Sequence, residues 1–187
     1  MIHFECDYTE GCHPAILQRL VETNEEQTTG YGMDSHCENA RALIRNLCEA
    51  PEADVHFLVG GTQTNTTVIA SILRPYQGVL CAETGHINVH ETGAIEATGH
   101  KVLPLKSSDG KITAGQIQEA YDAHWNDNDH EHIVQPGMVY LSQSTENGTI
   151  YSKDELTAIS QTCHDCKLPL FLDGAGLAMP WLPRKMI

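Results

Sequence analysis

Three short apolar runs in this 187-residue chain each end in a group that could take part in one binding event. Asp173 closes Leu168-Pro169-Leu170-Phe171-Leu172 and opens Gly174-Ala175-Gly176. A carboxylate at the C-terminal edge of a buried strand, followed by small residues, stands where open α/β sheets hold their ligands. Gly60-Gly61-Thr62 follows Val55-His56-Phe57-Leu58-Val59. At such a strand-to-helix junction, backbone N–H groups and the helix dipole can receive an anion, and glycines let it come close. His86 follows Val79-Leu80-Cys81-Ala82 and contributes an imidazole. Anion cradle, flat ring and carboxylate together suit a phosphorylated aromatic cofactor.

Each group also has a plainer reading. Gly60-Gly61-Thr62 would serve as a tight turn with a threonine cap, and it is neither a Walker loop nor Gly-x-Gly-x-x-Gly. Asp173 would cap the turn after its strand. His86 and His90 have the i, i+4 spacing of a metal pair, but no third ligand is placed by sequence, so no metal is expected. Cys163-His164-Asp165-Cys166 has redox or zinc spacing. It falls at the end of a helix, where a thiolate gains nothing from the dipole, and a structural role is expected. His124, and His130 and His132 in the polar loop Asn126–His132, read as solvent histidines.

The elements that must position these groups alternate in type, which predicts an α/β three-layer sandwich with a mostly parallel sheet. Helices are expected over His13–Thr23, over Ser35–Glu49 with Ser35 and Glu38 as a capping box, and after Gly61 until Pro75. A short helix is expected near Val89–Ala97, and two more follow the caps Thr113 and Ser152. Strands are expected at Val55–Val59, Val79–Ala82, Lys101–Leu105, Met138–Gln143 and Leu168–Leu172. The run Leu177-Ala178-Met179 starts a helix that Pro180 and Pro183 break, so the chain reads as a domain cut short.

Composition narrows the function classes. Net charge is −14, with 25 acids against 11 Lys plus Arg, and no basic stripe exists for a nucleic-acid backbone. No apolar run approaches the roughly 20 residues of a membrane span. Seven cysteines without an apolar leader segment fit reduced thiols, and a cytoplasmic location is expected.

Taken in order, these motifs resemble the threonine aldolase branch of the β-eliminating lyases, enzymes of the aspartate-aminotransferase fold type. Asp7-Tyr8-Thr9-Glu10-Gly11-Cys12-His13-Pro14 is similar to the family's N-terminal arm, and Gly30-Tyr31-Gly32-Met33-Asp34 to its Tyr-Gly-x-Asp segment. Gly60-Gly61-Thr62-Gln63-Thr64-Asn65 resembles the phosphate loop. Glu83 to Ala94 resembles the segment whose histidine stacks on the cofactor ring. Ser142 to Ser152 is close to the Thr-Glu-x-Gly-Thr-x-Tyr run, and Leu172 to Ala178 parallels Asp-Gly-Ala-Arg-Leu-Ala, with Gly176 where the family has arginine.

The resemblance implies pyridoxal 5′-phosphate as cofactor. Gly60, Gly61 and Thr62 would hold its phosphate, His86 would stack on the ring, and Asp173 would partner the pyridine nitrogen. His86 and Asp173 are the expected catalytic residues, and Asp7 and Tyr31 the expected substrate contacts. The implied reaction cleaves a β-hydroxy-α-amino acid of the threonine type to glycine and an aldehyde, in a homodimer or homotetramer. The family's Schiff-base lysine matches none of the six lysines in the sequence. Residues 1–187 are therefore expected to supply the arm and most of the cofactor-binding large domain, without the lysine segment or the small C-terminal domain. Another β-eliminating or transaminase-like activity is the alternative within chemistry. A non-catalytic truncated remnant is the alternative outside it, and the chain as given is expected to be inactive.

Overall fold

A computed structural model describes residues 9–175. The chain divides into two compact units, with the boundary between Phe57 and Leu58. The first holds two helices, α1 (Pro14–Thr23) and α2 (Ser35–Leu47). His13 caps α1 through Nδ1, which accepts from the Ala15 amide at 3.2 Å. The expected capping box on α2 is corrected: the cap is Asp34, whose carboxylate accepts from the Cys37 amide at 2.9 Å, and Ser35 is already helical. An aspartate one residue earlier satisfies the same orphan amides with a full charge.

The second unit begins with α3 (Gly61–Ile72) and continues with β1 (Gln77–Ala82), α4 (His86–Val89), β2 (Lys101–Leu105), α5 (Ala114–Trp125), β3 (Gln135–Ser142), α6 (Lys153–Asp165) and β4 (Leu170–Asp173). The four strands form one sheet in the order β2-β1-β3-β4, every pair parallel. Side chains alternate between the faces of a strand, and the core divides accordingly. Leu80, Ala82, Val139 and Leu141 pack with Ile117 of α5 and Ile159 of α6 on one face. Val79, Cys81, Met138 and Tyr140 pack with Ile69 of α3 and Ile87 of α4 on the other. Helices α5 and α6 both open with capping boxes, Thr113 with Gln116 and Ser152 with Glu155.

Two expectations about elements are overturned. Val55–Val59 is not a strand, and Val59 is 94% exposed in relative terms. A β-strand exists through its ladder, and among the described residues this apolar run has no pairing partner. The single helix expected over Val89–Ala97 is instead the one-turn α4, which starts at His86, and a 3-10 turn at Glu96–Thr98. Thr92 and Gly93, at φ 55° and 75°, reverse the chain between them. His124 is also corrected: it is buried, with its ring edge-on to Trp125 at 5.0 Å. Cys163 and Cys166 are buried free thiols, Cys163 pushed up to about 11 by burial, which fits a structural role.

Close packing of β1 on β2 yields a direct expectation. A Cβ at Gly78 would lie 2.6 Å from the Lys101 carbonyl oxygen, a backbone atom of the paired strand. Gly78→Ala should therefore cost about 1–3 kcal/mol of stability, readable in a urea melt. An unchanged midpoint would contradict the observed approach of the two strands.

Candidate active site

The C-terminal ends of the parallel strands converge on a cleft of about 160 Å³ lined by Gly61, Asn65, His86, Ser142, Ser144, Glu146, Asp173 and Ala175. The sheet dictates this meeting. Ser142 and Asp173 are paired last residues of β3 and β4, and His86 opens α4 just beyond β1. Gly60 and Thr62 flank Gly61 at the start of α3, with Gly60 at the N-cap.

Asp173 is held from two sides. Its Oδ2 accepts from the Tyr140 hydroxyl at 2.6 Å and from the Asn65 side-chain amide at 3.3 Å, and its Oδ1 from the Ala175 backbone amide at 3.2 Å. Burial first, and then the bond to Asp173, push the Tyr140 phenol far up, so it serves as a donor. Its ring is fixed edge-on against Phe171 at 5.5 Å. A carboxylate held in this way is aimed before any ligand arrives, and the Oδ1 edge keeps acceptor capacity.

His86 lines the same cleft. Its Nδ1 meets Glu91 Oε1 at 2.8 Å, while 40% of its side chain stays exposed. The same Glu91 oxygen accepts from Asn65 Nδ2 at 2.6 Å. Both hydrogens of the Asn65 amide are therefore used, one on each acid. The reversed amide would set its oxygen against two carboxylates, so the orientation of Asn65 is determined. Sequence reading passed over Glu91 and Tyr140, and counted Asn65 only as the end of the phosphate loop.

The anion end is also built. Helix α3 has no side-chain cap on its first-turn amides, and a Cβ added at Gly61 would meet nothing within 4 Å. This open backbone face at a 12-residue helix N-terminus is suited to a phosphate. A phosphate on α3, a flat ring against His86 and a ring nitrogen at Asp173 fit residues that line one cleft. Among the described residues, no group of three or more His, Cys, Asp or Glu could hold a metal ion, and no lysine lines this cleft.

Of the two expected substrate contacts, Tyr31 lies in the first unit, fully exposed and in the left-handed region at φ 62°. Asp7 lies outside the described residues, as does Gly176.

The architecture is that of the pyridoxal-phosphate-dependent transferase fold. Within it, the chain belongs to the beta-eliminating lyase family, whose model matches residues 4–178. The chain is similar to the solved threonine aldolase of Leishmania major, with 50% identity and a TM-score of 0.86 over 91% of this chain and 49% of that one. It is 35% identical over 174 residues to the low specificity L-threonine aldolase of Pseudomonas aeruginosa, covering 92% of this chain and 49% of the relative. A cysteine desulfurase of Rattus norvegicus is 27% identical over 86% of this chain and 35% of the relative. The chain thus spans about half the length of the threonine aldolases of Pseudomonas aeruginosa and Leishmania major. No described helix is long and apolar enough to cross a membrane.

Proposed function

We propose that this chain carries the cofactor site of a pyridoxal-phosphate-dependent, threonine-aldolase-like lyase of amino-acid metabolism. Such an enzyme cleaves a β-hydroxy-α-amino acid to glycine and an aldehyde. The observation that carries this reading is the shared cleft of Gly61, His86 and Asp173, with Asp173 held in place by Tyr140 and Asn65. When bound, the cofactor supplies an electron sink for the pair left by the broken Cα–Cβ bond.

The chain's own residues make that chemistry available. Asp173 holds a proton on the pyridine nitrogen through a charge-assisted hydrogen bond. Gly60, Gly61 and Thr62 bind the phosphate through backbone amides at the start of α3. His86 stacks on the ring and presents Nε2 to the cleft, where it can take the proton of a substrate hydroxyl.

Residues 1–187 are read as the N-terminal arm and most of the cofactor-binding large domain, acting in a homodimer or homotetramer. The exposed apolar face of α1, with Ile16, Leu17, Leu20 and Val21, supports that assembly. Tyr31 and Asp7 are assigned to substrate contacts. A cytosolic setting is supported by six free cysteines among the described residues.

Gly61→Ala tests the phosphate end. Alanine suits a helix better than glycine and has room here, so stability should rise by up to about 1 kcal/mol. The methyl group would stand where the phosphate approaches the backbone, and affinity for pyridoxal phosphate in an absorbance titration should fall at least roughly tenfold. Unchanged affinity would remove Gly61 from the cofactor site.

A further inference from the structure

We propose that Glu91 is a positioning residue of this site: it holds the His86 imidazole with the proton on Nδ1 and, through Asn65, ties that ring to Asp173. The inference deepens the cofactor reading above and rests on it.

The Glu91 side chain is wholly inaccessible to solvent. One oxygen, Oε1, serves both His86 Nδ1 at 2.8 Å and Asn65 Nδ2 at 2.6 Å, and the other, Oε2, has no hydrogen-bond partner. Removing a carboxylate from water is costly unless donors replace the water. Both donors found here belong to residues that line the cleft. A carboxylate only accepts, so the shared hydrogen lies on Nδ1, and in the neutral ring Nε2 keeps its lone pair. A neutral histidine side chain free in water prefers the proton on Nε2, and Glu91 reverses that preference.

The backbone makes this contact possible. His86 and Glu91 are five residues apart, which is not a same-face spacing on a helix. The one-turn α4 ends at Val89 and hands the chain to Glu91 just before the left-handed pair Thr92 and Gly93. From there a hydrogen-bonded series runs from His86 through Glu91, Asn65 and Asp173 to Tyr140. The stacking imidazole and the nitrogen-binding carboxylate are therefore set by one connected group of side chains, and displacement of either end is felt at the other.

The test uses the 187-residue chain labelled with ¹⁵N-histidine, and its first readout needs no cofactor. Two-bond proton–nitrogen correlation, with His86 assigned by the signal lost in His86→Ala, should show the proton on Nδ1. Glu91→Gln keeps an acceptor oxygen and should keep that tautomer. Glu91→Ala should shift His86 toward the Nε2-protonated form. Titration with pyridoxal phosphate should show affinity about tenfold weaker for Glu91→Ala, as expected for a lost charge-assisted hydrogen bond, and within about threefold of wild type for Glu91→Gln.

A wild-type His86 protonated on Nε2, or a Glu91→Ala protein with unchanged tautomer and affinity, would overturn the proposal. If Glu91→Ala fails to fold, the wild-type tautomer still decides. A wild-type chain with the Nδ1 tautomer and no affinity for pyridoxal phosphate would instead sink the cofactor reading and leave the hold of Glu91 on His86 standing.

Discussion

Asp173→Ala is expected to weaken pyridoxal phosphate binding by about ten- to a hundredfold, the equivalent of losing one charge-assisted hydrogen bond in a shielded site. The carboxylate is the group that favours the protonated pyridine ring, and no other acid lining the cleft is held by Tyr140 and Asn65. Its removal also leaves the buried Tyr140 hydroxyl with only Ser142, at 3.4 Å, nearby. Some loss of stability should therefore accompany the loss of affinity. Asp173→Asn separates the two effects, since the amide oxygen can still accept from Tyr140 while the charge is gone. Its fold should be retained and its affinity should still fall about tenfold. An Asp173→Asn protein that binds as wild type does would mean that Asp173 does not face the ring nitrogen.

Leu141→Ala should produce the largest loss of stability, about 2–5 kcal/mol. Leu141 is 2% exposed, in the strand between β1 and β4, and belongs to the core face covered by α5 and α6. Truncation leaves a cavity against Ile117 and Ile159, both fully enclosed and held in helices with firm N-caps. A cost of this size approaches the whole stability of many single domains, so the variant should melt far earlier or express poorly. A shift of less than about 1 kcal/mol would show that this face of the sheet packs loosely.

The residues explain how far the sequence could be read. Thr113 with Gln116 and Ser152 with Glu155 carry their own start signals, and α5 and α6 begin where those signals place them. The apolar runs at Val79–Ala82 and Met138–Leu141 are strands because both of their faces are covered. Val55–Val59 shows the same apolar pattern, but pattern does not supply a ladder partner. The segment after α4 departs from the expected helix over Val89–Ala97 because the positive-φ pair at Thr92 and Gly93 interrupts it.

For the site, strand-end logic holds for His86, just beyond β1, and for Asp173, which ends β4; Gly61 lines the same cleft as the first residue of α3, although the run before it is not a strand. The network behind them was not legible. Asn65 meets Asp173 across 108 residues of sequence and Glu91 across 26, and no local spacing encodes such contacts. One signal was available: an acid shortly after His86, inside the segment already singled out. Its role depended on a chain reversal that only the structure shows.

A structure of the chain crystallised with pyridoxal phosphate tests the central claim most directly. The phosphate should sit on the backbone amides at the start of α3, beside Gly61 and Thr62, with the pyridine ring stacked on His86. The ring nitrogen should lie about 2.7–2.9 Å from an Asp173 carboxylate oxygen, the distance of a charge-assisted hydrogen bond. A cofactor bound elsewhere, or bound in this cleft with its nitrogen away from Asp173, would contradict the account.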